Sequence, residues 1–179
     1  MTNVLLCGDP TDTSITDALI PALATYGGVC YFRSGVAEQY GENGHFCLLE
    51  SVEVPKITLP RGILVLKDKL SATACAEVPD NFVCVIGSGN KQAAQMLCRS
   101  KAAVVTCGTG MTDTLSLAGI DSSSACVSLQ RNLITLQGNL IEPLDFSVNL
   151  SQQRTPQQIL FVSAVLLLAG VDVEQGYSI

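Results

Sequence analysis

The feature that most constrains this chain is an alternation of short apolar runs with helix-like segments. The runs are Asn3 to Cys7, Val29 to Phe32, Phe46 to Glu50, Gly62 to Leu66, Phe82 to Ile86 and Ala103 to Cys107. Most are apolar at both odd and even positions, a composition that suits strands covered by helices on both faces. The pattern is that of βαβ units, so it predicts an α/β fold with a mostly parallel, doubly wound sheet rather than a sandwich or a bundle. No repeat, low-complexity tract or charge block divides the chain, and residues 1–179 are read as one domain.

The segments between the runs carry helix punctuation. Thr13 or Ser14 caps a first helix that runs through Ala18, Leu19, Ala22 and Leu23 to Tyr26, with Pro21 inside it and Gly27-Gly28 as its stop. Asn90 caps a second helix over Lys91 to Arg99, with Ala94, Leu97 and Cys98 as its inward stripe. A shorter helix is expected to follow Thr112 or Asp113 and to end at Gly119. Ser34 to Gly44 and Lys67 to Asp80 read as surface connections. From Ala125 to Leu150 three short runs joined by Asn and Gly turns predict a small antiparallel sheet near the C-terminal end. Thr155-Pro156 then starts a last helix, because Thr caps and Pro is tolerated at the first helical position, and Ala169-Gly170 closes it. Its apolar core, Ile159 to Val171, is shorter than the ~20 residues a bilayer requires, so it reads as a buried helix and not a membrane span.

A formal net charge of -6, with ten scattered basic residues, argues against nucleic acid as a partner. The eight cysteines include no CxxC pair. The opening MTNVLLCGD carries no basic n-region or cleavable apolar segment, so reduced thiols and a cytoplasmic location are expected. Cys7, Cys30, Cys47, Cys84, Cys107 and Cys126 fall in or at the ends of apolar runs, where cysteine acts as a small core residue. His45 is the only histidine, and with no CxxC pair and no Cys/His cluster the spacing argues against a structural zinc site.

In an open parallel sheet, ligands bind beyond the carboxyl ends of the strands. Three glycine-bearing turns lie at such ends: Cys7 to Ser14, Gly87-Ser88-Gly89-Asn90, and Cys107 to Asp113. The candidate ligand-binding residues are therefore Gly8, Asp9, Asp12, Thr13, Ser14, Asn90, Gly108 and Thr109. Glu50, ending a fourth strand, and Thr13 are candidate ligands of a metal ion such as magnesium. The first turn joins a strand to a helix whose free amides suit an anion. A working phosphate loop also needs a lysine, and this turn has Asp9 and Asp12. It reads more simply as an ordinary strand-to-helix turn capped by Asp and Thr. Cys7 and Cys107 are candidate nucleophiles, since a thiol near a helix N-terminus is acidified, but His45 would have to reach them as the base.

Taken in order, these pieces resemble the central, ATP-binding domain of the Mur ligases, over residues 3 to about 172. That family has GTxGKTT after its first strand. Here Gly8-Asp9-Pro10-Thr11-Asp12-Thr13-Ser14 stands at the equivalent place, matching at Gly8, Thr13 and Ser14 and lacking the second glycine and the lysine. FCLLES, with Glu50 and Ser51, is similar to the family segment whose glutamate helps hold magnesium. GILVLKDKL is similar to the strand that ends in an Asn and a DH pair, but Lys67, Asp68 and Lys69 include no histidine. CVIGSGN, a helix and AAVVTCG resemble the strand with an NxDD-type turn, without its two acidic residues. LITLQGNLIEPLDFSVNL and the helix ending LLLAGVD resemble the family's small sheet and closing helix.

The resemblance implies the fold, and Mg-ATP as cofactor only if the altered loop still functions. Losing the phosphate lysine removes charge neutralisation that is hard to replace. The family's substrate domains, which flank the central one, do not fit within residues 1–179. The expectation is a degenerate, non-catalytic Mur-ligase-like domain that binds a small molecule or a protein partner. Two alternatives stay open: a divergent ATP-dependent amide ligase or other enzyme using the strand-end cleft, and a structural or oligomeric subunit, including a homo-oligomer.

Overall fold

The computed structural model describes residues 1–70 and 78–179. Their central element is an eleven-stranded sheet in the order β13-β12-β9-β8-β7-β6-β5-β1-β4-β2-β3. The strands are β1 (Thr2–Cys7), β2 (Val29–Arg33), β3 (Val36–Tyr40), β4 (Phe46–Ser51), β5 (Gly62–Leu66), β6 (Phe82–Gly87), β7 (Ala103–Gly108), β8 (Leu115–Ile120), β9 (Ser124–Leu129), β12 (Leu144–Asn149) and β13 (Tyr177–Ser178). Only β3 and β9 run against the others. All six apolar runs are strands, and the mostly parallel sheet is the one their two-sided apolarity predicts.

Pleating sends alternate residues of each strand to opposite faces. Val4, Leu6, Ile63, Val65 and Val85 join the larger core, beneath helices α1 (Ser14–Thr25) and α3 (Pro156–Leu168). Leu5, Cys7, Leu64, Leu66, Cys84 and Ile86 join the smaller core, beneath α2 (Lys91–Leu97). Helices on both faces make the sheet doubly wound.

The structure corrects several local expectations. Within the stretch expected as a 34–44 loop, Val36–Tyr40 pairs antiparallel with β2 as an edge strand. Its residues are mostly exposed, so no buried face marks it in the sequence. The expected helix after Asp113 is instead β8, hydrogen-bonded to β7 and β9. In α2 the inward residues are Ala93 and Leu97, while Ala94 and Cys98 are exposed. Asn90 does cap it, accepting from the Ala93 amide at 2.9 Å. Of the expected 67–80 surface connection, residues 71–77 lie outside the described residues, and Lys67 is fully buried.

The Ala125–Leu150 region contributes β9 and β12 to the main sheet. The small antiparallel sheet consists of β10 (Leu133–Ile134) and β11 (Leu140–Ile141). Thr155 and Gln158 form a reciprocal capping box at the start of α3, with Pro156 in its first turn. Ile159 to Leu168 are buried on every side of that helix. Among the described residues no helix is long and apolar enough to cross a membrane.

Candidate functional site

The chain leaves β1 through α1 to β2 on one side of the sheet. After β4 it crosses to β5 on the other side of β1, and β6 and β7 continue outward from there. The carboxyl end of β1 is therefore the point where the strand order reverses, the place at which open α/β sheets form a crevice for ligands. Here the first turn, the end of β4 and the end of β5 meet.

Side chains of this chain fill that crevice. Lys67, one residue beyond β5, shares the face of Ile63 and Val65 and is completely buried. Its ammonium donates to the Asp12 carbonyl at 2.5 Å, to Glu50 Oε1 at 2.6 Å and to the Asp9 carbonyl at 3.2 Å. Glu50 lies on the same face, and its other oxygen accepts from the Tyr31 hydroxyl. Burial, followed by that bond to Glu50, pushes the Tyr31 phenol well above its ordinary value, so it is held as a neutral donor. Asn90 donates to the Lys67 carbonyl at 2.9 Å. Both ends of the Asn90 amide are thus engaged within the protein.

The turn itself faces inward with its carbonyls. Its amides have acceptors elsewhere: Gly8 donates to the Ser51 carbonyl, Asp9 to that of Lys69 and Asp12 to that of Asp9. Thr11 donates to the Asp9 carboxylate at 2.9 Å, and Ser14 to that of Asp12 at 3.1 Å. The Thr11 hydroxyl and amide hold the Asp9 carboxyl below its usual range. Asp12 thereby caps α1, whereas Thr13 makes no capping bond and gives its hydroxyl to Asp17. Gly8 has a φ of 143°, and a Cβ there would sit 2.6 Å from Lys67 Cβ and 2.8 Å from the Lys69 carbonyl. Only glycine lets the turn close on the lysine stem.

Two cavities flank this plug at the same end of the sheet. One, of about 530 Å³, opens between β6, β7 and the start of α3. Cys107 and Leu160 supply its apolar lining, with Asp68, Ser88, Thr109 and Gln157 among its polar groups. The other, of about 720 Å³, lies between Pro10, the β2–β3 hairpin and the end of β4, and Glu50 contributes to its wall. Of the residues singled out in the sequence, Asn90, Gly108 and Thr109 meet at the first cavity, while Gly8, Asp9, Asp12 and Glu50 surround Lys67. Thr13 and Ser14 begin α1.

The candidate cysteine nucleophiles are not acidified. Burial pushes the Cys7 thiol up to about 12. Cys107 is raised further, by burial and by nearby Asp113. No helix follows Cys107 to lower its pKa, since β8 takes that place. The Thr2 amide donates to the carbonyl of His45 at the amino end of β4, whereas Cys7 pairs with Ser51 at the carboxyl end. About five residues of strand, roughly 16 Å, separate the two levels. His45 therefore cannot serve as base to either thiol.

Lys67 and Tyr31 went unrecognised in the sequence. The available signal was parity: Tyr31 shares alternation with Val29, Glu50 with Phe46 and Leu48, and Lys67 with Ile63 and Val65, so one face receives all three.

This architecture is a Mur-ligase-like α/β fold. No protein-family model and no curated protein matches the sequence, but solved structures do match in fold. The UDP-N-acetylmuramate:L-alanyl-gamma-D-glutamyl-meso-diaminopimelate ligase from Neisseria meningitides is 14% identical, with a TM-score of 0.59 over 97% of this chain and 63% of that one. MurF ligase from Thermotoga maritima, solved in complex with ADP, is 14% identical, with a TM-score of 0.55 over 97% of this chain and 46% of that one. A UDP-N-acetylmuramoyl-L-alanyl-D-glutamate--2,6-diaminopimelate ligase is 14% identical, with a TM-score of 0.54 over 98% of this chain and 45% of that one. This chain thus spans less than two thirds of each of them.

Proposed function

We propose that this chain is a degenerate, non-catalytic relative of the Mur ligase nucleotide-binding domain, and that it binds a small polar ligand at the carboxyl end of its sheet. One observation carries the reading: the crevice at the strand-order reversal is filled by the Lys67–Glu50 pair, and most amides of the first turn are already bonded within the chain. Phosphate loops hold their ligand with inward amides and a free lysine. This turn offers its carbonyls instead, and its nearest ammonium is engaged by them.

Glu50, the candidate metal ligand, has one oxygen on Lys67 and the other on Tyr31. A magnesium ion there would have to displace the lysine. The cavity between β6, β7 and α3 is the better ligand site, because Asp68, Ser88, Thr109 and Gln157 offer both donors and acceptors around an apolar floor. Its residues include Asn90, Gly108 and Thr109 from the sequence-derived set.

Calorimetry and a hydrolysis assay with Mg-ATP test the first half of the reading. Neither binding nor turnover is expected, and micromolar affinity or steady phosphate release would refute it. A small-molecule library screened by amide NMR tests the second half, with shifts expected at Ser88, Thr109 and Gln157. Gly87→Val is the control: a Cβ at Gly87 would sit 3.2 Å from the Asp68 carboxylate and 3.8 Å from the Gln157 amide, both in the cavity lining, so the added side chain takes space a ligand needs and should abolish those shifts. Hits that bind elsewhere, or that survive Gly87→Val, would count against this cavity.

A further inference from the structure

We infer that the first turn, together with the end of β4, is a receptor for a primary ammonium ion, and that Lys67 is its tethered, resident occupant. The Asp9 carbonyl, the Asp12 carbonyl and Glu50 Oε1 come from two separate segments and converge on one nitrogen. An ammonium has three hydrogens, and three oxygens receive them. The opposite oxygen of Glu50 is fixed by Tyr31, so the carboxylate is aimed before the cation arrives. The Lys67 amide donates to the Cys7 carbonyl and the Asp9 amide to the Lys69 carbonyl, which clamps the lysine backbone to the turn it enters. Lys67 is therefore a positioning residue: its charge holds the turn with carbonyls inward. This inference is independent of whether the neighbouring cavity binds a ligand.

Chemical rescue tests it. Lys67→Ala removes the stem and the ammonium and leaves a channel lined by the three oxygens. Lys67→Met fills the channel without supplying charge. Both variants should melt roughly 10 °C below the wild type, as expected for a broken buried ion pair in a chain of this size. Propylammonium chloride should recover part of that loss for Lys67→Ala, with no such gain for Lys67→Met or for the wild type. Sodium chloride at the same ionic strength, and propanol, should be without effect. A Lys67→Met protein as stable as the wild type would overturn the inference, as would a folded Lys67→Ala protein indifferent to propylammonium.

If neither variant folds, the wild type decides. With ¹⁵N-lysine labelling, the Lys67 ammonium should give a slowly exchanging Nζ–H signal that moves on Glu50→Gln. Fast exchange indistinguishable from that of the other lysines would overturn the inference.

Discussion

Replacing Glu50 by Gln leaves the shape of the buried pair nearly unchanged and removes half of its charge. The side chains of Lys67 and Glu50 are 0% and 6% exposed, and their charged atoms are 2.6 Å apart. At an effective dielectric of about 20, unit charges at that separation attract by roughly 6 kcal/mol. Burying both ions offsets much of this, so the intact pair adds little net stability. Breaking it leaves an ammonium without a counter-ion and typically costs about 3–5 kcal/mol. Guanidinium denaturation of Glu50→Gln should show that loss with an unchanged m-value, and the melting temperature should fall by roughly 6–20 °C. The double variant Glu50→Leu, Lys67→Met should lose much less than the sum of the singles, because it leaves no charge behind. A Glu50→Gln protein within about 0.5 kcal/mol of the wild type, the range of ordinary surface substitutions, would refute the argument.

Four further outcomes are expected. Gly8→Ala should destabilise the fold by about 1–3 kcal/mol in thermal melts, since φ at that position is 143° and the added methyl meets the lysine stem. Cys7 and Cys84 hold their protons up to about 12 in the folded chain, against 9.0 for an ordinary thiol. The unfolded thiols ionise first, so stability should be fully present below pH 9 and fall as pH rises toward 12, which urea titrations across that window would show. At neutral pH iodoacetamide should label exposed Cys98 well before buried Cys7, Cys84 or Cys107, as read by peptide mass mapping. Thr155→Ala should cost about 1 kcal/mol by removing the cap of α3, measured by chemical denaturation.

Elements that bury a two-sided or all-round apolar surface were legible in the sequence. The core strands and α3 announce themselves because their side chains have nowhere else to go, and Thr155-Pro156 marks a helix start by local chemistry alone. The edge strand β3 is stabilised by pairing with β2 rather than by burial, so Val36 to Tyr40 carries no hydrophobic signature. Strand β8 reads as a helix in the sequence because Thr112 or Asp113 offers a cap and Gly119 a stop, while Leu115 and Leu117 are too few to fix a period. A bulge between Leu117 and Gly119 disturbs its alternation. The candidate site was half legible. Strand ends located Asn90, Gly108, Thr109 and Glu50, but the occupant of the crevice was hidden because lysine is taken for a surface residue by default. Pairing makes its burial tolerable, and the partner lies 17 positions away in the chain.

The apolar helix α3 also bears on the order in which this protein can assemble. Residues 156–168 supply Ile159 to Leu168, a large share of the core shared by β1, β5, β6 and β7, yet they are synthesised after all four of those strands. During translation, at roughly 5–20 residues per second, the strands are complete for several seconds while the face that α3 will cover is open to solvent. A nascent chain in that state presents a wide, greasy sheet surface. The interval defines a window in which a chaperone would find its substrate, and in which premature release would favour aggregation over folding.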